Sequence, residues 1–217
     1  MEQTQAVEAP PFLQPHFVDA VQQHEASKFG LWLFLLTEVL LFGGLFCAYA
    51  IFRAWYPEMF FNAHKHLDTM LGATNTIVLI TSSVTVALAI RSMQLDNTSH
   101  AALFLLATIL CAMAFMVIKY FEYSHKIHLG LLPGKLYTFQ GIEGTHPNLF
   151  FSIYFGMTGL HGLHVLGGMV FLGILLRRTI AGEFSSEYYT PIVLGGIYWH
   201  LVDLIWIYIF PLLYLIG

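Results

Sequence analysis

Glu38, His161, His164, His200 and Asp203 are the residues whose types and spacing invite chemistry, and each stands inside a long apolar run. A carboxyl or an imidazole in such a place can hold a proton, pass one on, tie neighbouring segments together, or ligate a metal. The spacings suit a helix. His161 and His164 are three apart, as are His200 and Asp203, so each pair is read as sharing a helix face. An ionisable group in a membrane span costs roughly 2.5–3.5 kcal/mol on insertion scales, so each of these residues calls for a reason. Lys119 and Glu122 stand at the end of a run, where long side chains snorkel to the interface at little cost.

Five apolar runs must position these groups: about 29–52, 70–90, 101–121, 149–176 and 192–216. Each has the roughly 20 residues that a helix needs to cross a hydrocarbon core. Barrel strands would alternate over much shorter segments. The expected fold is an all-α membrane protein, a bundle of five transmembrane helices. Composition agrees. Of 217 residues, 57% are apolar and 10% charged, with a mean hydropathy of +0.68, whereas a soluble domain carries about 25% charged residues. Nine Lys and Arg against 13 Asp and Glu offer no basic patch for nucleic acid. Cys47 and Cys111 sit in separate apolar runs, which argues against a disulfide framework or a zinc site.

Helices of alternating direction, rising about 1.5 Å per residue, give each polar group a depth. Measured from the side of Lys28, Glu38 lies about 15 Å deep, His200 about 14 Å, Asp203 about 18 Å, His164 about 20 Å and His161 about 24 Å. One buried polar cluster near mid-membrane is therefore expected. Its commoner role would be to tie helices together; a proton relay or reservoir is the other. Glu38 has no cation in its span and is expected to be neutral, a hydrogen-bond donor, with His164 as first partner and His200 as second. The chain itself is expected to hold no metal. His161 and His164 lie one turn apart on one helix and cannot flank a single haem iron, although His164 with His200 remains geometrically open. The histidines within the spans are too few for a copper shell.

Small residues mark close helix contacts or a lipid-lined cleft. Gly43 and Gly44 stand in run one, Ser82 and Ser83 in run two, and six glycines in run four. Gly43, Gly44, Ser82 and Ser83 are expected to dock the first two helices on a partner. Residues 1–27 read as a polar, acidic tail with several prolines, lacking the pattern of a signal or transit peptide. The connection from about Tyr123 to Asn148 reads as an ordered interfacial loop, and the other connections as short. Lys28, Arg91, Arg177 and Arg178 balance Arg53, Lys65, Lys126 and Lys135, so the charge rule does not decide orientation.

Several segments, in order from about residue 28 to the C-terminus, resemble subunit III of the haem–copper respiratory oxidases. They are Leu31–Phe46 around Thr37-Glu38, Asn75-Thr76 with Thr81-Ser82-Ser83, Tyr120-Phe121-Glu122-Tyr123, Gly159-Leu160-His161-Gly162-Leu163-His164-Val165, and Tyr198-Trp199-His200-Leu201-Val202-Asp203-Leu204-Ile205-Trp206. The resemblance is to the five-helix form, which lacks the first helix pair of the longer form and its lipid-filled cleft. It implies an accessory subunit without redox centres. Haem and copper would reside in subunit I, against which this chain would pack. It would bind phospholipid and support sustained turnover and proton uptake. The family's carbodiimide-reactive glutamate falls on Glu38, and Trp199 and Trp206 belong to the helix-packing or lipid-facing set. The resemblance also implies a bacterial inner-membrane location with a cytoplasmic N-terminus. Cytochrome c is favoured over quinol as electron donor on the Trp-His-x-x-Asp segment. A haem b quinone-reactive anchor and a small transporter are the competing classes; the chain shows no matching halves of the transporter kind.

Overall fold

Helices that are apolar around most of their circumference can face lipid on one side and neighbours on the other. The computed structural model describes residues 13–142 and 146–216, all helix, turn or loop. In chain order the helices are α1 (Ala20–Trp55), α2 (Pro57–Ala63), α3 (Thr69–Gln94), α4 (Thr98–His128), α5 (Pro147–Ile180) and α6 (Thr190–Phe210), with a π-helical turn over Pro211–Leu215. All but α2 are long and apolar enough to cross a membrane, the turn extending α6.

Their ends are chemically specified. Asp19, Asp68 and Asn97 cap α1, α3 and α4 by accepting from the backbone N–H of Gln22, Leu71 and His100. Pro147 opens α5, where its missing N–H costs nothing. The helices overrun the apolar runs at their polar ends. The 36 residues of α1 extend about 54 Å, against a hydrocarbon core of about 30 Å. So α1 begins within the stretch read as tail, while residues 1–12 lie outside the described residues. Likewise α4 continues to His128, which shortens the loop expected from Tyr123. Within that loop Leu131 is fully buried, and Gly130 turns the chain at φ +77°. The connection between α1 and α3, read as merely short, folds into α2, whose Phe60 packs edge-on against Phe150 at 5.3 Å.

α6 stands at the centre, with Trp199 and Trp206 wholly buried. It packs against α3 and α5; α3 and α4 form an antiparallel hairpin; α1 leans on α5 and α6. Gly168 permits the α5–α6 contact, since a Cβ there would lie 2.7 Å from the Trp199 ring. Gly43 and Gly44 differ: a Cβ on either would meet nothing within 4 Å.

Candidate functional site

The polar groups of the apolar helices separate into distinct sites. Glu38 on α1 meets His164 on α5, with Oε2 and Nε2 2.6 Å apart. The other ring nitrogen, Nδ1, lies 2.8 Å from the carbonyl of Leu160. A carbonyl only accepts, so Nδ1 carries hydrogen, and a single proton lies between Nε2 and the carboxyl. The pair therefore exists as acid with imidazole or as carboxylate with imidazolium, with the same net charge. Phe42 presses edge-on against the imidazole at 5.2 Å, and Tyr198 of α6 donates to the His164 carbonyl at 3.0 Å. Three helices thus meet at one acid–imidazole contact.

His161 does not join this pair. It is fully buried between Phe115 of α4 and Trp206 of α6, with ring centroids 5.5 and 5.2 Å away. Neither ring nitrogen has a hydrogen-bond partner among the described residues. Positions three apart are offset by about 60° around a helix, enough here to turn one imidazole inward and the other toward α1. His200 and Asp203 both face α3. His200 Nδ1 lies 2.7 Å from Ser83 Oγ, and Asp203 Oδ2 lies 3.4 Å from Ser82 Oγ. Ser82 donates to the Leu79 carbonyl at 2.7 Å and accepts from the Trp199 indole at 2.9 Å. Trp206 donates to Thr76 at 3.1 Å. Ser82 is thus part of the bundle interior rather than a docking face. Among the described residues, no hydrogen bond links the Glu38–His164 pair to Asp203 or His200.

The sequence reading missed a further site. Lys119 and Glu122, expected to snorkel, are 6% and 2% exposed. The Glu122 carboxylate accepts from Lys119 at 2.7 Å, Lys126 at 3.0 Å, Tyr154 at 2.9 Å and Tyr214 at 2.7 Å. Lys119 also donates to the Tyr214 hydroxyl at 2.6 Å and lies 4.4 Å from the Trp206 ring centre. The i, i+3 and i, i+4 spacing of these charges on α4 was visible in the sequence, but the tyrosines come from α5 and from the end of the last helix. The network binds three helices with a buried carboxylate whose lone pairs are filled. Beside it, a groove of about 440 Å³ opens between α4 and α5, lined among others by Tyr123, Gly159, Gly162 and Leu163.

Residues 12–217 match the family described as Cytochrome c oxidase subunit III. The chain belongs to the subunit III family. A Thermostichus vulcanus cytochrome c oxidase subunit 3 is 31% identical over 206 residues, covering 92% of each chain. The Heme-copper oxidase subunit I+III of Aeropyrum pernix is 30% identical over 197 residues, covering 86% of this chain and 22% of that longer protein. The Cytochrome bo(3) ubiquinol oxidase subunit 3 of Pseudomonas aeruginosa is 28% identical, covering 88% of this chain and 85% of its own. This chain is accordingly an accessory subunit III, a multi-pass membrane component of a respiratory oxidase. Among the described residues, no three His, Cys, Asp or Glu side chains gather as a metal shell. In this subunit III the polar side chains instead bond across helices: Glu38 to α5, Ser82 to α6, and Glu122 to α5 and the end of the last helix.

Proposed function

We propose that this subunit III stabilises the haem–copper subunit I of a bacterial cytochrome c oxidase and supports its proton uptake, without a redox centre of its own. Haem and copper belong to subunit I in this reading. The carrying observation is the Glu38–His164 contact at 2.6 Å, a neutral acid–base pair held at mid-membrane by α1, α5 and α6. Such a pair ties helices first and stores one proton second. The chain lies in the inner membrane with its N-terminus in the cytoplasm. A phospholipid acyl chain occupies the apolar groove between α4 and α5. The Aeropyrum pernix relative, whose name joins subunits I and III in one protein, supports subunit I as the partner.

Purification in mild detergent with partner identification tests this reading. Subunit I, with its haem absorption, should co-purify in stoichiometric amount. Metal analysis of the separated chain should find well under one iron or copper per chain. The complex should oxidise reduced cytochrome c. Oxidation of ubiquinol instead would favour the second reading, a quinol oxidase, which the similarity to the Pseudomonas aeruginosa ubiquinol oxidase subunit supports. Absence of any haem–copper subunit would refute both.

A further inference from the structure

The start of α1, from Ala20 to Lys28, precedes the apolar run that opens at Phe29 and adds about 13 Å of helix at its polar end. Beside it lies a groove of about 640 Å³, bounded by the end of α3 and by the connection from α5 into α6. Val21, Ile90 and Leu194 give the groove apolar walls, and Tyr188 and Tyr189 add aromatic ones. Val21 is 69% exposed. His24 Nδ1 lies 2.9 Å from Thr190 Oγ1, so α1 touches the first residue of α6 at the same place.

Leu13 and Gln14, the first described residues, stand at the edge of this groove. The Gln14 N–H donates at 2.8 Å to the side chain of Gln23, a lining residue. The Phe17 N–H donates to the Gln14 carbonyl at 3.0 Å, closing a turn with Pro15 at its favoured second position. The turn reverses the chain, so the backbone entering Gln14 comes from the side on which α1 continues. The residues next in sequence are Ala9-Pro10-Pro11-Phe12. Consecutive prolines favour polyproline II, bring no N–H that burial would leave unpaired, and suit aromatic-lined grooves. At about 3.1 Å per residue, residues 9–13 cover about 16 Å, enough to follow Ala20–Lys28. Other occupants fit less well. Acyl chains lie beside the apolar runs, beyond Lys28. A second copy or a soluble partner competes with a segment tethered at the rim, whose effective concentration is on the order of millimolar.

We propose that Ala9-Pro10-Pro11-Phe12 is a strap that seats in this groove, with Phe12 toward the tyrosine wall, and fastens the start of α1 to the end of α3 and the entry of α6. The groove is then an intramolecular peptide site of the polyproline kind. It holds the polar end of a helix whose other ties are at Glu38, Tyr49 and Arg53.

The test places a photoreactive phenylalanine analogue at position 12 of the full chain, in the complex as purified from membranes. The same analogue at Leu136, 64% exposed in the α4–α5 connection, is the control. After illumination the probe at position 12 should join mainly to peptides of its own chain containing residues 20–28, 90–94 or 186–194, and the control should not reach them. Products mainly with lipid, with another polypeptide or with a second copy (seen as a doubled mass) would overturn the proposal, as would a yield no higher than the control's. A second measurement needs no probe. In a chain carrying Pro10→Gly, Pro11→Gly and Phe12→Ala, the amides of residues 20–28 should exchange hydrogen about tenfold faster than in the wild type, with α4 unchanged. Unchanged exchange over residues 20–28 would overturn the strap. So would equal acceleration in α4, which would mark a general loosening of the bundle.

Discussion

Glu38 and His164 show what a single proton does between two apolar helices. Because Nδ1 is committed to Leu160, replacing the acid by an amide preserves a donor toward Nε2. Glu38→Gln should therefore assemble and turn over nearly as the wild type, whereas Glu38→Ala should destabilise the subunit by about 1–3 kcal/mol, read by thermal melting in detergent. Loss of oxygen reduction or proton pumping in Glu38→Gln would make the residue an obligatory proton carrier. Glu122 behaves oppositely, since it compensates two buried ammonium groups. Glu122→Gln keeps the shape and loses the charge, and should cost about 3–5 kcal/mol in the same melt, far more than Glu38→Gln. The shared level of Glu38 and His164 was legible in the sequence at this scale, because helical rise is constant and direction alternates. Azimuth was not. Nothing in the spacing of His161 and His164 says that one faces Trp206 and the other α1. The burial of Lys119 was hidden for a related reason: Tyr154 and Tyr214, which cover it, are far away in the chain.

At the scale of the helix, the apolar runs declared themselves by length, while the polar overhangs did not. Asp19 caps α1 well outside its apolar run; the Asp19-x-x-Gln22 spacing and the helix-favouring Ala, Gln and Glu that follow stand in the sequence, but their polarity read as a tail. α2 was illegible because Met59 and Phe60 gain their stability from burial against other elements rather than from local periodicity. Glycines separate into two kinds by what surrounds them. Gly168→Leu should disrupt the α5–α6 contact with Trp199 and lower the melting temperature of the isolated subunit. Gly43→Leu with Gly44→Leu should leave that melt unchanged and instead reduce the amount of subunit III in the purified complex; unchanged stoichiometry would remove α1 from the docking surface. The turn between α2 and α3 adds a pH effect. Burial pushes the His66 imidazole below its ordinary range. The unfolded chain then binds more protons than the folded one as pH falls through about 6.5, so this contribution is complete above that pH and declines below it. Melting followed from pH 8 to pH 5 should show the decline, and His66→Gln should reduce it.

For the molecule as a whole, α1 is the least enclosed of the long helices, and its ties reach far along the chain. Glu38 bonds to a residue 126 positions later, Tyr49 to the Leu212 carbonyl 163 positions later, and Arg53 to the Ile216 carbonyl at the same separation. These separations impose a schedule during synthesis. At about 5–20 residues per second, His164 follows Glu38 out of the ribosome after about 6–25 s, and the partners of Tyr49 and Arg53 follow later still. Throughout that interval α1 carries the Glu38 carboxyl without its His164 partner. The newborn α1 must wait in the membrane, or in the care of the insertion machinery, fastened only once α5 and the end of α6 have been made.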